Sequence, residues 1–179
     1  MGQACRLDEK IKDFITGREV PDCDDEQIRQ FMERLLVNEK GFKKEEIEVD
    51  RTFAISRVAE GGVGRAELVV FVDGRPFMAL KSQRGSLVSR EQESLAAARL
   101  CCPVQVPYTV VSNGRDAEIL DTLTGKVVAE GLDAIPDSQE ARRGLPEIEF
   151  QALPDHKRER QERVYLAFAA LQCPTDCAD

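Results

Sequence analysis

At 179 residues the chain has the length of one domain, or of one domain with an appendage, and its 42% hydrophobic content is enough to bury a core. No run approaches the roughly 18 consecutive apolar residues of a membrane helix, and no basic-then-apolar leader opens the chain. The expectation is therefore a cytoplasmic protein with reduced cysteines and no membrane role. A formal net charge of -8 opposes binding a polyanion through the overall field and leaves only a local basic face for it. The absence of a Gly-rich phosphate loop excludes an ATP-driven motor within these residues.

In chain order, Leu7, Ile11, Phe14 and Ile15 have the spacing of a short amphipathic helix stopped by Gly17. Asp24 can cap a second helix with Gln27 reaching back, and Ile28, Phe31, Met32, Leu35 and Leu36 supply its apolar stripe, ending before Gly41. Residues 46–57 nearly alternate and predict a strand with one wet face. Residues 65–82 then place two apolar runs on either side of Asp73-Gly74, the signature of a β-hairpin covered on both faces. Arg65, Glu67 and Lys81 are the polar residues near its open end.

Ser89 with Gln92 predicts a capped helix through Leu95, Ala96, Ala97, Ala98, Leu100 and Cys101, stopped by Pro103. Val104 to Ser112 and Ala117 to Leu120 read as strands joined by an Asn113-Gly114 turn, and Thr124-Gly125 turns the chain again. From about residue 131, Pro136, Pro146 and Pro154 punctuate a polar stretch that reads as linker. A last helix is expected from Asp155 to Gln172, with His156 and the charged first half in solvent and Val164, Phe168 and Leu171 docking. The division is residues 1–130 as the main domain and 131–179 as linker and C-terminal helix.

The hairpin pattern, Arg65-Ala66-Glu67, apolar strand, Asp-Gly, apolar strand, Lys81, resembles the N-terminal nuclease domain of the R subunits of type I restriction enzymes, a branch of the PD-(D/E)xK nucleases. Val20 to Gln30 resembles that family's first helix, and Pro107 to Gly114 its strand ending in Thr-Asn-Gly. The resemblance implies a restriction-endonuclease-like α/β fold: a mixed sheet flanked by helices with an α-β-β-β-α-β core, plus an N-terminal and a C-terminal helix. It also implies Mg²⁺ held by two carboxylates, a lysine that steadies developing charge, and a connection with DNA or with a protein partner.

The sequence departs from the family pattern at one decisive place. Where the second strand carries Glu-x-Lys, this chain has Ala79-Leu80-Lys81, and Glu67 replaces an aspartate. Two readings follow. One is a non-catalytic or weakly active module related to nucleic acid or to a partner. The other is a Mg²⁺-dependent DNA endonuclease with Glu67, Lys81 and Glu91 as catalytic residues and Glu67, Asp25 and Glu26 as metal ligands.

Each motif also has a structural reading. Glu67 and Lys81 form a strand-end ion pair, Asp25 and Glu26 favour a helix N-terminus through its dipole, and Arg142, Arg143, Lys157, Arg158, Arg160 and Arg163 form either a DNA-facing patch or a solvated face. Cys173 and Cys177, with Cys5 or Cys23, are either cluster ligands, as in some related nucleases, or free thiols.

Geometry offers a further expectation. A strict two-residue turn at Asp73-Gly74 sets Glu67 opposite Leu80, and a three-residue loop sets it opposite Ala79. Only the second parity, or a bulge elsewhere, brings Glu67 and Lys81 within reach of an ion pair, with Ala79 leaving a gap for the missing acid.

Overall fold

The computed structural model describes residues 6–56 and 62–169. A two-stranded hairpin, β1 (Arg6–Lys12) and β2 (Glu19–Asp22), precedes helix α1 (Asp24–Arg34), which runs on through a π turn over Leu35–Glu39. Strands β3 (Ile47–Ile55), β4 (Gly62–Val72) and β5 (Arg75–Ser82), helix α2 (Glu91–Leu100) and strand β6 (Tyr108–Ser112) complete the expected α-β-β-β-α-β order. Strands β7 (Ala117–Asp121) and β8 (Val127–Glu130) and helices α3 (Ser138–Gly144) and α4 (Asp155–Ala169) follow.

The main sheet has the order β3-β4-β5-β6-β7-β8, antiparallel except between β5 and β6, which α2 connects as a crossover. It is a mixed α/β, nuclease-like fold, with the predicted hairpin inside the sheet. Leu68, Val70, Val72, Met78 and Leu80 join Met32 and Leu36 of α1 in one core, while Val69 and Ala79 join Phe53, Ala97 and Leu100 in another on the side of α2 and α4. The hairpin is therefore covered on both faces, which is why its strands are apolar at consecutive positions.

Several expectations are corrected. The first segment is a hairpin, not a helix. Asp13 accepts the Ile15 and Thr16 N–H groups and the Thr16 hydroxyl, closing a turn before Gly17 at φ +70°, and Ile11 pairs with Val20. This local side-chain bonding outweighs a stripe of four apolar residues.

Helix α1 starts after Cys23 rather than Asp24, and the Gln27 amide donates to Asp22. Its stripe is inward in part: Met32, Leu35 and Leu36 are buried as expected, but Phe31 is 39% exposed, while Arg29, Gln30 and Glu33 are buried too. Helix α2 is preceded by Arg90, and Ser89 donates to the Ser86 carbonyl instead of capping. Strand β6 begins after Pro107.

The stretch read as linker contributes Ile135, Ala141 and Leu145 to the main core, and its prolines stand at element starts. On α4 the buried residue is Glu162, with Tyr165 and Leu166 packed on the second core, while Val164 and Phe168 are half-buried. Cys5, Leu171, Cys173 and Cys177 lie outside the described residues. Among the described residues no helix is long and apolar enough to cross a membrane.

Candidate functional site

Asp73 and Gly74 both adopt positive φ, +49° and +76°, and Val72 pairs with Arg75, so the turn is the strict two-residue, doubly left-handed kind. Alone it would set Glu67 opposite Leu80. A register shift between Val70 and Phe71 changes this: Phe71 faces Pro76 but Val70 faces Met78, leaving Phe77 as the extra residue of a bulge. Leu68 then faces Leu80, and the same register carried one residue further sets Glu67 opposite Lys81.

Glu67 stands where pairing lapses on both sides. The β4–β5 ladder ends at Leu68, and on the β3 side the rung that would hold Glu67 is missing at Asp50, which has φ +56°. The side chain occupies the resulting fork. Its Oε1 accepts the Ser82 N–H at 3.0 Å and the Ser82 hydroxyl, and its Oε2 lies 3.9 Å from Lys81 Nζ. Burial pushes the Glu67 carboxyl above its ordinary range, against the opposing pull of Lys81, the Ser82 hydrogen bonds and Arg29.

A second carboxylate reaches the same ammonium: Glu93 Oε1 lies 3.7 Å from Lys81 Nζ, and Glu93 is buried. Glu93 was not among the sequence candidates. The helix acid expected there, Glu91, instead lies beside Glu118, whose pKa burial raises and Glu91 raises further. Ala79 lines the same crevice, together with Ala97 and Tyr165.

Asp25 and Glu26 are not brought to Glu67. Asp25 binds Arg84, and Glu26 binds Arg29 and Gln30. Arg29 is the hub of a second, buried ion cluster, 2.8 Å from Asp13, 2.6 Å from Glu26 and 3.2 Å from Glu33. Its charge also pulls the Glu67 carboxyl down, against the effect of burial.

Of the basic residues considered as a DNA-facing patch, Arg142 pairs with Glu46 and lies 3.8 Å from Asp73, and Arg163 lies 3.6 Å from Glu159. Lys157 and Arg160 are exposed, as is His156.

The profile of the type I restriction enzyme R protein N terminus matches residues 24–136, more than half of the chain. The chain belongs to this family. No curated protein and no solved structure matches it. The matched stretch opens with α1 and closes ahead of α3, so this family domain contains Glu67, Lys81 and Glu93, while Asp13 precedes it and α4 lies beyond it.

The fit of a divalent metal can be judged from the side chains. Mg²⁺ requires near-octahedral oxygen ligands at about 2.0–2.1 Å. In this family domain Glu67 spends one oxygen on Ser82 and the other on Lys81, which also holds Glu93. Among the described residues no three His, Cys, Asp or Glu side chains converge as a ligand set. The site as arranged offers two carboxylates, Glu67 and Glu93, each facing the Lys81 ammonium at 3.9 and 3.7 Å, with no third acid beside them among the described residues.

Proposed function

We propose that this domain is a non-cleaving member of its family, descended from the PD-(D/E)xK site and retained to engage nucleic acid or a protein partner. One observation carries the reading: with alanine at position 79, Lys81 pairs with both Glu67 and Glu93. A lysine clamped by two acids has spent its charge on holding the β4/β5 fork and the start of α2 together. With both acids ionised the trio is net negative, which disfavours a phosphate, and the net charge of -8 provides no field to draw one in.

The competing reading, a Mg²⁺-dependent endonuclease using Glu67, Lys81 and a helix carboxylate, is favoured by the arrival of Glu93 from α2. Incubating the protein with plasmid and with single-stranded DNA, in Mg²⁺ and in Mn²⁺, separates the two. No cleavage is expected, and cleavage abolished by Lys81→Ala would sink the non-cleaving reading. Ala79→Glu tests the ancestry: calorimetry should show Mg²⁺ binding in the variant and none in the parent, whereas binding in neither means that more than one ligand has been lost.

A further inference from the structure

Tyr165 of α4 stands at the open end of the β4/β5 pair. Its hydroxyl accepts the Arg65 N–H at 2.9 Å and donates to the Arg65 carbonyl at 3.2 Å. One phenol thus satisfies both backbone groups of a residue that lies beyond the last β4–β5 rung. The same ring packs edge-on against Phe53, with centroids 5.1 Å apart, and lines the crevice where Glu67, Lys81 and Glu93 meet. Helix α4 therefore roofs the ion cluster from outside the family-matched residues.

Two further hydrogen bonds among the described residues help to fasten the roof. Arg99 donates to Gln161 at 3.1 Å, and Ser56 donates to one oxygen of Glu162 at 2.7 Å. Glu162 is only 1% exposed, yet its other oxygen has no hydrogen-bond partner among the described residues. A buried carboxylate served by one neutral hydroxyl works against the docked state. Most of the first half of the helix, including Asp155, Lys157, Glu159 and Arg160, is in solvent. Although Tyr165 and Leu166 pack on the second core, a solvated first half and a faulty polar anchor mark a segment that opens locally before the rest of the fold does.

We propose that α4 is a releasable strap. Docked, it narrows access to the fork through Tyr165, leaving the Lys81 side chain 25% exposed; released, it opens the way to Lys81 and its two acids, together with the Cys101 and Cys102 thiols, which lie in the same core as Tyr165 and Leu166. The inference deepens the proposed function by making access to the cluster the controlled step, and it rests on that reading only for the purpose of the control.

The test uses the full chain. In hydrogen exchange on the unaltered protein, the amides of residues 159–169 should exchange at least about tenfold faster than those of α2, with Arg65 following the α4 rate. Equal protection of α4 and α2 overturns the strap. Separately, Tyr165→Phe removes both backbone bonds and keeps the ring, and adding Leu166→Ser removes an apolar anchor. Alkylation followed by peptide mass spectrometry should show Cys101 and Cys102 reacting faster, by about tenfold in the double variant, while β5 and β6 amides keep their protection.

Unchanged thiol rates mean the fork stays sealed without its anchors. Loss of protection across the sheet means α4 is integral to the fold. Either result overturns the proposal. DNA cleavage that appears only in the strap variants would support the strap and refute the non-cleaving reading, so the two failures can be told apart.

Discussion

Glu33 allows a quantitative test of the buried ion cluster on α1. It is fully buried, it lies 3.2 Å from Arg29, and neither of its oxygens sits in a well-formed hydrogen bond. Burial raises its carboxyl from the ordinary 4.5 to about 7, with Arg29 opposing and Asp13 and Glu26 adding to the rise. The folded state therefore keeps the proton longer than the unfolded chain does. The stability linked to this group is fully present below pH 4.5 and is lost as pH rises through about 7. At about 1.4 kcal/mol per pH unit, the loss amounts to about 3 kcal/mol.

Glutamine mimics the protonated acid, so Glu33→Gln should match the parent near pH 4 and exceed it by up to about 3 kcal/mol above pH 8. Urea unfolding of both proteins at matched pH values measures the difference, and the many other titrating groups cancel between them. A difference that stays constant with pH, or that favours the parent at high pH, would show that Arg29 holds Glu33 ionised throughout and that the burial argument is wrong.

Two further perturbations follow from the packing. Arg29→Met leaves Asp13, Glu26 and Glu33 together without their shared cation and should cost ~3–5 kcal/mol in urea unfolding near neutral pH. Arg29→Lys should rescue little, since a single ammonium cannot reach all three acids as the guanidinium does. Gly64→Ala would place a methyl 2.3 Å from the Phe53 ring, which is itself held against Tyr165. A loss of ~1–3 kcal/mol is expected in thermal unfolding, recovered in part by Phe53→Leu; no loss would mean the ring moves freely.

Which parts were legible in the sequence follows from how local their causes are. The central hairpin is written in adjacent residues: Asp73-Gly74 favours the left-handed turn and the flanking β-branched runs demand cover on both faces. Its register is less local. Asp-Gly suits either loop length, and the bulge that decides the parity, at Phe77, lies three residues past the turn. Pro76 was a usable signal there, because a proline within an inner strand is tolerated chiefly where the ladder is already interrupted. The N-terminal hairpin was missed because its cause is a single carboxylate, Asp13, whose turn bonds compete with a helix-like spacing of apolar residues.

The remaining site residues depend on how helices dock, and periodicity within a helix does not report that when most of its faces are buried. On α2 nearly every residue from Glu93 to Leu100 is covered, so no single stripe marks the side facing the fork. Glu91 and Leu95 form one row, and Leu95 packs with Val111 and Leu120 under the far strands; Glu93 and Ala97 form another, directed at β4 and β5. The two acids are separated by more than half a helical turn, and only the docked orientation decides which of them meets Lys81.

The same holds for α1, where Ile28 and Phe31 look like core and Arg29 and Glu33 like surface, yet the helix buries the charged row, because Asp13 arrives from the preceding hairpin to share Arg29 with Glu26 and Glu33. In both helices the misread residue is a charge whose partner is supplied by another element. The alanine at position 79 was visible in the sequence, but the ammonium's second carboxylate became visible only once the crossover helix was set against the sheet.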